Sequence, residues 1–266
     1  MFQPLYVAAT GLSASEDELL EITNNLANAK TPGFKAGRTE MESLPYVQKS
    51  FKDMLAVQMA AYDNSSNVIP EFGTGVRVAA TPKDFSQGTL EHTTNPLDVA
   101  IYGEGFLQVK MPDGSIGYTR AGHLRVDNEG NLVNADGHFL EPSIVIPQGT
   151  TSIVIRQDGV VFVSIDNAIS QTEIGQLSLV KFSNPGGLRS LGQNLYAQTP
   201  SSGDPINGYP GDEGFGTITQ YSVEASNVDV ISEMMRMVMV QRVFETITKA
   251  VSGYEGMLTN LTRMKA

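Results

Sequence analysis

The sequence predicts an α+β fold: N- and C-terminal helices paired as a coiled-coil-like bundle, with an inserted, mostly antiparallel β domain. Three observations predict it. Apolar residues recur at every seventh position near both ends of the 266-residue chain. Short apolar runs alternate with Asp-Gly turn signals through the middle. Hydrophobic residues make up 41% and charged residues 18%, enough to build a core and too apolar for global disorder.

The first element is a helix over 1–30. Leu5, Leu12, Leu19 and Leu26 are spaced by seven, and Ala8, Ser15, Ile22 and Ala29 each follow by three. Such a register places one stripe against a partner helix. Thr31-Pro32-Gly33 ends it, because Pro cannot continue the hydrogen-bond ladder and Gly relaxes the backbone. Asn24 and Asn25 sit inside this segment, although Asn is a poor helix former. They form either a tolerated polar face or an interhelical hydrogen bond that fixes register. A connector over 31–75 carries Pro32, Gly33, Gly37, Pro45 and Pro70 as breaks.

The β-rich region spans 76–220. Expected strands are 97–101, 106–110, 116–120, 153–156, 160–165 and 177–182. Asp113-Gly114, Asp136-Gly137 and Asp158-Gly159 mark hairpins, and Asp127-Asn128-Glu129-Gly130-Asn131 a longer turn. The stretch 200–216 is dense in Pro, Gly, Ser and Asp and reads as a loop or a path back toward the helices.

The segment 221–266 repeats the heptad device. Val230, Met237, Phe244, Val251 and Leu258 are spaced by seven; Val240, Ile247, Tyr254 and Leu261 lie three further on. Ser226 and Asp229 resemble a capping box. No Pro follows Pro210, and no Gly falls between Gly216 and Gly253, so a helix from about 227 to 252 or beyond is expected. Met235, Val238 and Met239 add apolar surface outside the seam. Either other chains cover it or the protein's own middle domain does.

No chemistry emerges from the residue pattern. With 18 basic and 29 acidic residues the net charge is −11, which repels nucleic-acid phosphates. Without cysteine there are no disulfides, thiolate metal sites or thiol nucleophiles. His92, His123 and His138 make no helical metal pair, although the last two could meet across a hairpin. Gly73-Thr74-Gly75 and Gly103-Glu104-Gly105 lack the rest of a phosphate loop and read as bends. The Asp127 turn lacks the closing Glu of a calcium loop, since the twelfth position is His138. The expectation is no enzyme, no cofactor and no metal. The first basic residue is Lys30, so no cleaved export leader is expected, nor a membrane span. Those facts alone read as a cytosolic chain.

Longer words change that reading. Thr10-Gly11-Leu12, Asn24-Asn25-Leu26-Ala27-Asn28 and Thr31-Pro32-Gly33-Phe34-Lys35 resemble the N-terminal signature of bacterial flagellar basal-body rod and hook proteins. Ser226-Asn227-Val228-Asp229, Glu233-Met234, Gln241-Arg242 and Phe244-Glu245 resemble the C-terminal one. Between them stand Asn95-Pro96-Leu97-Asp98-Val99-Ala100-Ile101, Gly103-Glu104-Gly105-Phe106 and Tyr118-Thr119-Arg120-Ala121-Gly122, with Leu107 where the family usually has a second Phe. Gly73 to Arg77, Ser86-Gln87-Gly88 and Asn194-Leu195-Tyr196 are most similar to the distal-rod branch, with the proximal-rod branch as alternative and a cell-wall-acting protein as a remoter one.

The resemblance implies an inner helical domain made of both termini and an outer β domain. It implies a hollow helical shaft that crosses the periplasm and carries torque from motor to hook. It implies export through the flagellar type III apparatus without a cleaved signal, which displaces the cytosolic reading. Implied partners are further copies of itself, the proximal rod and hook proteins, and the P and L rings as bushing. Neither nucleic acid nor direct membrane insertion is implied. The residues expected to pack subunits are the seam positions: Leu5, Leu12, Leu19, Ile22 and Leu26 at one end; Val230, Met237, Val240, Phe244, Ile247, Val251, Tyr254, Leu258 and Leu261 at the other.

Overall fold

A computed structural model describes residues 3–48, 71–165 and 171–265. The middle of the expected connector, 49–70, therefore lies outside the described residues. The chain divides into two compact units. A helical unit comprises Met1–Thr23, Arg38–Thr81 and Met234–Ala266; a β unit comprises Asn24–Gly37 and Pro82–Glu233.

The fold class is α+β: an N-terminal helix, a mostly antiparallel β domain and a C-terminal helix. Helix α1 runs Gln3–Ala27. Its one proline, Pro4, falls in the first turn, where the missing N–H has no helical partner to lose. Helix α2 runs Val230–Lys265, longer than the expected minimum. The Ser226–Asp229 capping box does not form. Asp229 itself caps, accepting from the Ile231 N–H at 3.1 Å and the Ser232 hydroxyl at 2.6 Å. Ser226 accepts from the Val228 N–H at 3.3 Å instead. The helix begins right after Asp229, so its carboxylate, not the Ser226 hydroxyl, reaches the orphan donors. Those contacts, the Ser232 hydroxyl first, hold the Asp229 carboxyl below the usual range.

In the helical unit, strand Glu40–Ser43 pairs antiparallel with Val76–Ala80, and Val47–Gln48 pairs with Glu71–Phe72. Gly73-Thr74-Gly75 is the bend between Glu71–Phe72 and Val76–Ala80.

The β unit holds a seven-stranded antiparallel sheet. Its order is Arg189–Gly192, Leu195–Ala197, Ile116–Thr119, Leu107–Lys110, Phe139–Glu141, Leu132–Asn134, Leu124–Val126. A second sheet joins Thr150–Ile155, Val160–Ile165 and Thr172–Gln176. All three Asp-Gly dipeptides lie between paired strands. Two sequence expectations shift. The strand expected over 97–101 is Val99–Tyr102, paired with Thr217–Gln220. The stretch 200–216 is not loop throughout, because Ile206–Gly208 pairs with Leu179–Lys181. Partner strands supply the hydrogen bonds there, which local turn composition cannot reveal.

Two apolar clusters fill this unit. One is aliphatic and includes Val99, Leu107, Val109, Leu140, Val161, Leu179 and Ile218. The other is aromatic: Phe106, Tyr118, Phe182 and Tyr196 pack with Phe85, and Tyr118 and Phe182 meet edge to face at 4.8 Å. Phe106 and Leu107 are both buried, one in each cluster. Successive strand residues face opposite ways, so a branched aliphatic at 107 suits the aliphatic side.

Candidate assembly surface and a buried charge cluster

The seam positions of both helices are mostly half-buried. In α1, Leu5, Leu12, Leu19 and Leu26 are intermediate and Ile22 is buried. In α2, Met237, Phe244, Ile247, Val251, Tyr254 and Leu258 are intermediate and Val240 is buried. Val230 is exposed, because it is the first residue of α2 and has no preceding turn beside it. The side chain of Leu261 lies outside the described ones. Two contacts bring the helices together. A methyl group added at Gly11 would lie 3.3 Å from Ile247 Cδ1. Arg236 donates to Glu18 at 3.1 Å between partly buried side chains. Advancing from Gly11 to Glu18 steps the partner back from Ile247 to Arg236, so the helices run antiparallel. Beside them lies an apolar groove of about 820 Å³, lined by Val7, Ala8, Gly11, Val76, Ile247 and Ala250 among others.

The extra apolar residues of α2 are exposed among the described residues. Ile231 is 70% exposed, Met235 53%, Val238 47% and Met239 64%. Met234 is exposed as well. Such a contiguous apolar patch on a helix is a candidate interaction surface.

A different device operates in the β unit. Glu224 is fully buried on strand Ser222–Glu224. Its Oε1 accepts from Lys35 Nζ at 2.6 Å and from the Gly88 N–H at 2.9 Å; its Oε2 accepts from Arg120 Nε at 3.0 Å. Lys35 also donates to the Ser86 carbonyl at 2.6 Å, and Arg120 Nη2 to the Gly103 carbonyl at 2.7 Å. Burial, then the neighbouring Arg120 guanidinium, pulls the Lys35 amine below its usual value, and Glu224 opposes that pull. Removing the shared carboxylate would strand two buried cations.

The cluster joins segments far apart in sequence. Lys35 comes from the word after α1, Arg120 from the middle word, and Glu224 from the approach to α2. Around them the backbone packs tightly. Gly33, at φ +73°, lies where a Cβ would come within 2.7 Å of Ala121 Cα. At Gly122 a Cβ would fall 1.6 Å from the Val99 carbonyl oxygen, so only glycine fits. Asn227 accepts from the Ala36 N–H at 2.8 Å and donates to the Asp84 carbonyl at 2.8 Å. In the sequence Lys35 and Arg120 stand inside motif words with no role of their own, and Glu224 stands outside any of those words. The one available signal was a basic residue inside each of two otherwise apolar or small-residue words.

Asn25 corrects an expectation. It is fully buried, but it makes no interhelical bond. Its Nδ2 donates to the Gly37 carbonyl and its Oδ1 accepts from the Gly37 N–H, both at 2.9 Å. The amide matches a backbone peptide, so it fastens the chain beyond the helix. Asn24 is exposed. His123 pairs with Asp98 at 2.9 Å, and the His138 N–H bonds Asn134 within a turn. Among the described residues no group of three His, Asp or Glu could hold a metal ion.

Comparison with known proteins follows the same three segments. A profile described as flagella basal body rod protein matches 5–35. One described as flagellar hook protein FlgE/F/G D1 domain matches 100–163, and one for the flagellar basal body rod FlgEFG protein C-terminal matches 219–264. The chain is 40% identical to the flagellar basal-body rod protein FlgG of Buchnera aphidicola subsp. Schizaphis graminum, covering 99% of this chain and 100% of the relative. It is 36% identical to FlgG of Caulobacter vibrioides, over 99% and 100%. It is 29% identical to the flagellar basal-body rod protein FlgF of Escherichia coli, over 96% and 95%. With matches that run from end to end and profiles that fall on both helices and the β unit, the chain belongs to the flagellar basal-body rod protein family.

Proposed function

We propose that this basal-body rod protein builds the distal rod, where copies stack into a hollow helical shaft that carries torque from motor to hook. The family is structural and not enzymatic. The distal position is supported by the middle-domain words and by full-length identity of 40% and 36% to FlgG proteins against 29% to an FlgF. Nothing in these matches favours the proximal-rod alternative.

The observation that carries assembly is the state of the helices in a single chain. Their seam side chains are mostly half-buried, and a further apolar face of α2 is open. In a shaft, neighbouring copies cover both. A regular coiled-coil seam through Leu12, Leu19, Phe244 and Ile247 would stiffen the inner layer, each fully covered side chain contributing about 1.5–3 kcal/mol. A heterologous contact that does not close generates the open helix.

The remaining partners belong to the same reading: the proximal rod below, the hook above, the P and L rings as bushing, and the type III export apparatus as the route out, without a cleaved signal. As a rod protein the chain is part of the basal body, and the rod would cross the periplasm. Among the described residues no helix is long and apolar enough to cross a membrane.

Leu19→Asp and Phe244→Asp test it. Each should leave the β unit folded, by circular dichroism and tyrosine fluorescence, yet abolish incorporation into rods and motility. Normal motility in both variants would sink the seam.

A further inference from the structure

Two open features beside the helices fit one another. The first is the stripe on α2 formed by Ile231, Met234, Met235, Val238 and Met239, each 47–70% exposed. The second is the groove of about 820 Å³ beside Val7, Gly11, Ile247 and Ala250. At about 100° per residue, the stripe centres about 180° around α2 from the seam through Met237, Val240, Phe244 and Ile247. One copy can therefore keep its own helices together and still offer the stripe outward.

We propose that the Met-rich stripe of one copy seats in the inter-helix groove of a second copy, a statement that rests on the rod reading and adds its register. The chemistry of the two surfaces argues for this occupant. The groove is apolar, so a charged peptide would lose hydration there without compensation. Methionine side chains are unbranched and fill irregular apolar space well. The exposed stripe amounts to on the order of 600 Å², close to the roughly 800 Å² that each partner buries in a standard stable interface.

The offset has a geometric consequence. The centres of stripe and groove are about 15 residues apart along α2, or ~22 Å. A stripe cannot reach the groove of its own helix. A reciprocal pairing would close as an isologous dimer; a shaft needs the head-to-tail pairing, each copy using its stripe on one neighbour and its groove on another, which is heterologous and stays open.

The chain has no cysteine, so placed thiols report without background. Two full-length chains with different tags are co-expressed in flagellated cells, one carrying Val238→Cys and the other Ala250→Cys. Both positions are exposed, so neither change disturbs a core. A short bis-maleimide should give a covalent heterodimer in purified basal bodies, at least tenfold above a control pairing Val238→Cys with Asp113→Cys on a hairpin turn of the β unit. Rods that assemble with equal yields from both pairs would overturn the register and leave the rod reading standing. Absence of the chain from basal bodies would overturn both. In dilute monomer, the thiol of Ala250→Cys should react freely with maleimide; shielding there would mean that the chain fills its own groove, and would overturn the proposal.

Discussion

The helical unit and the β unit stabilise themselves by different means. Among the described residues of the helical unit only Ala14, Ser15, Ile22 and Val240 are buried. The β unit holds two apolar clusters and a fully hydrogen-bonded charge triad. One unit carries its own core; the other keeps its apolar residues at half cover. Helices in proteins draw most of their stability from tertiary packing, and in Gln3–Ala27 and Val230–Lys265 that packing is partial. The difference supports the rod reading proposed above, in which the β unit carries its own core and neighbouring copies would complete the cover of the helical ends.

Limited proteolysis of dilute full-length monomer tests the contrast most strongly. Cleavage should begin in 3–23 and in 234–265, at least tenfold faster than anywhere in the described β unit. The boundary should fall near residue 24, not 30, because Asn25 ties its end of 24–37 to Gly37 and Lys35 fastens the segment to Glu224. Equal resistance of ends and middle would remove the distinction between the units.

Glu224→Leu should have the next largest effect. It leaves Lys35 and Arg120 buried without their carboxylate, a loss of about 3–5 kcal/mol in urea unfolding followed by tyrosine fluorescence. Glu224→Gln, which keeps the shape and one accepting oxygen while its NH2 group can only donate, should lose less than the leucine variant. A change under about 1 kcal/mol in both variants would mean that the apolar clusters alone hold this unit together.

The smallest effect is alkaline. Burial pushes the Tyr196 phenol well above its ordinary value, and burial raises Tyr118 as well. A folded-state value above the unfolded one means stability is intact below about pH 10 and falls as the pH rises beyond it. The urea midpoint should therefore drop between about pH 10 and 11.5, and less steeply in Tyr196→Phe. Identical slopes would assign the alkaline loss to other groups. The helical ends, with no such buried phenol among their described side chains, should show no matching transition.

Much of this was legible from residue order. Heptad spacing located both helices, since a seven-residue apolar repeat suits a helix face and little else. Each Asp-Gly pair located a hairpin, because that dipeptide accommodates the turn that matches strand twist. Short strands such as Ile206–Gly208 were not legible, because their pairing with Leu179–Lys181 depends on a partner distant in sequence. Asn25 was noticed as out of place in a helix, but its partner Gly37 lies across a turn whose path local propensity does not specify.

By itself, then, the order of residues determined the element types, the apolar stripe of each helix and the family. Those follow from periodicities and words that act over a few residues. Tertiary structure alone decided that Lys35, Arg120 and Glu224 share one buried site, that Asn25 holds Gly37, and that the second face of α2 stays open. Each depends on which distant segments come into contact, and burial of charge or apolar surface is a property of that contact, not of any local stretch of chain.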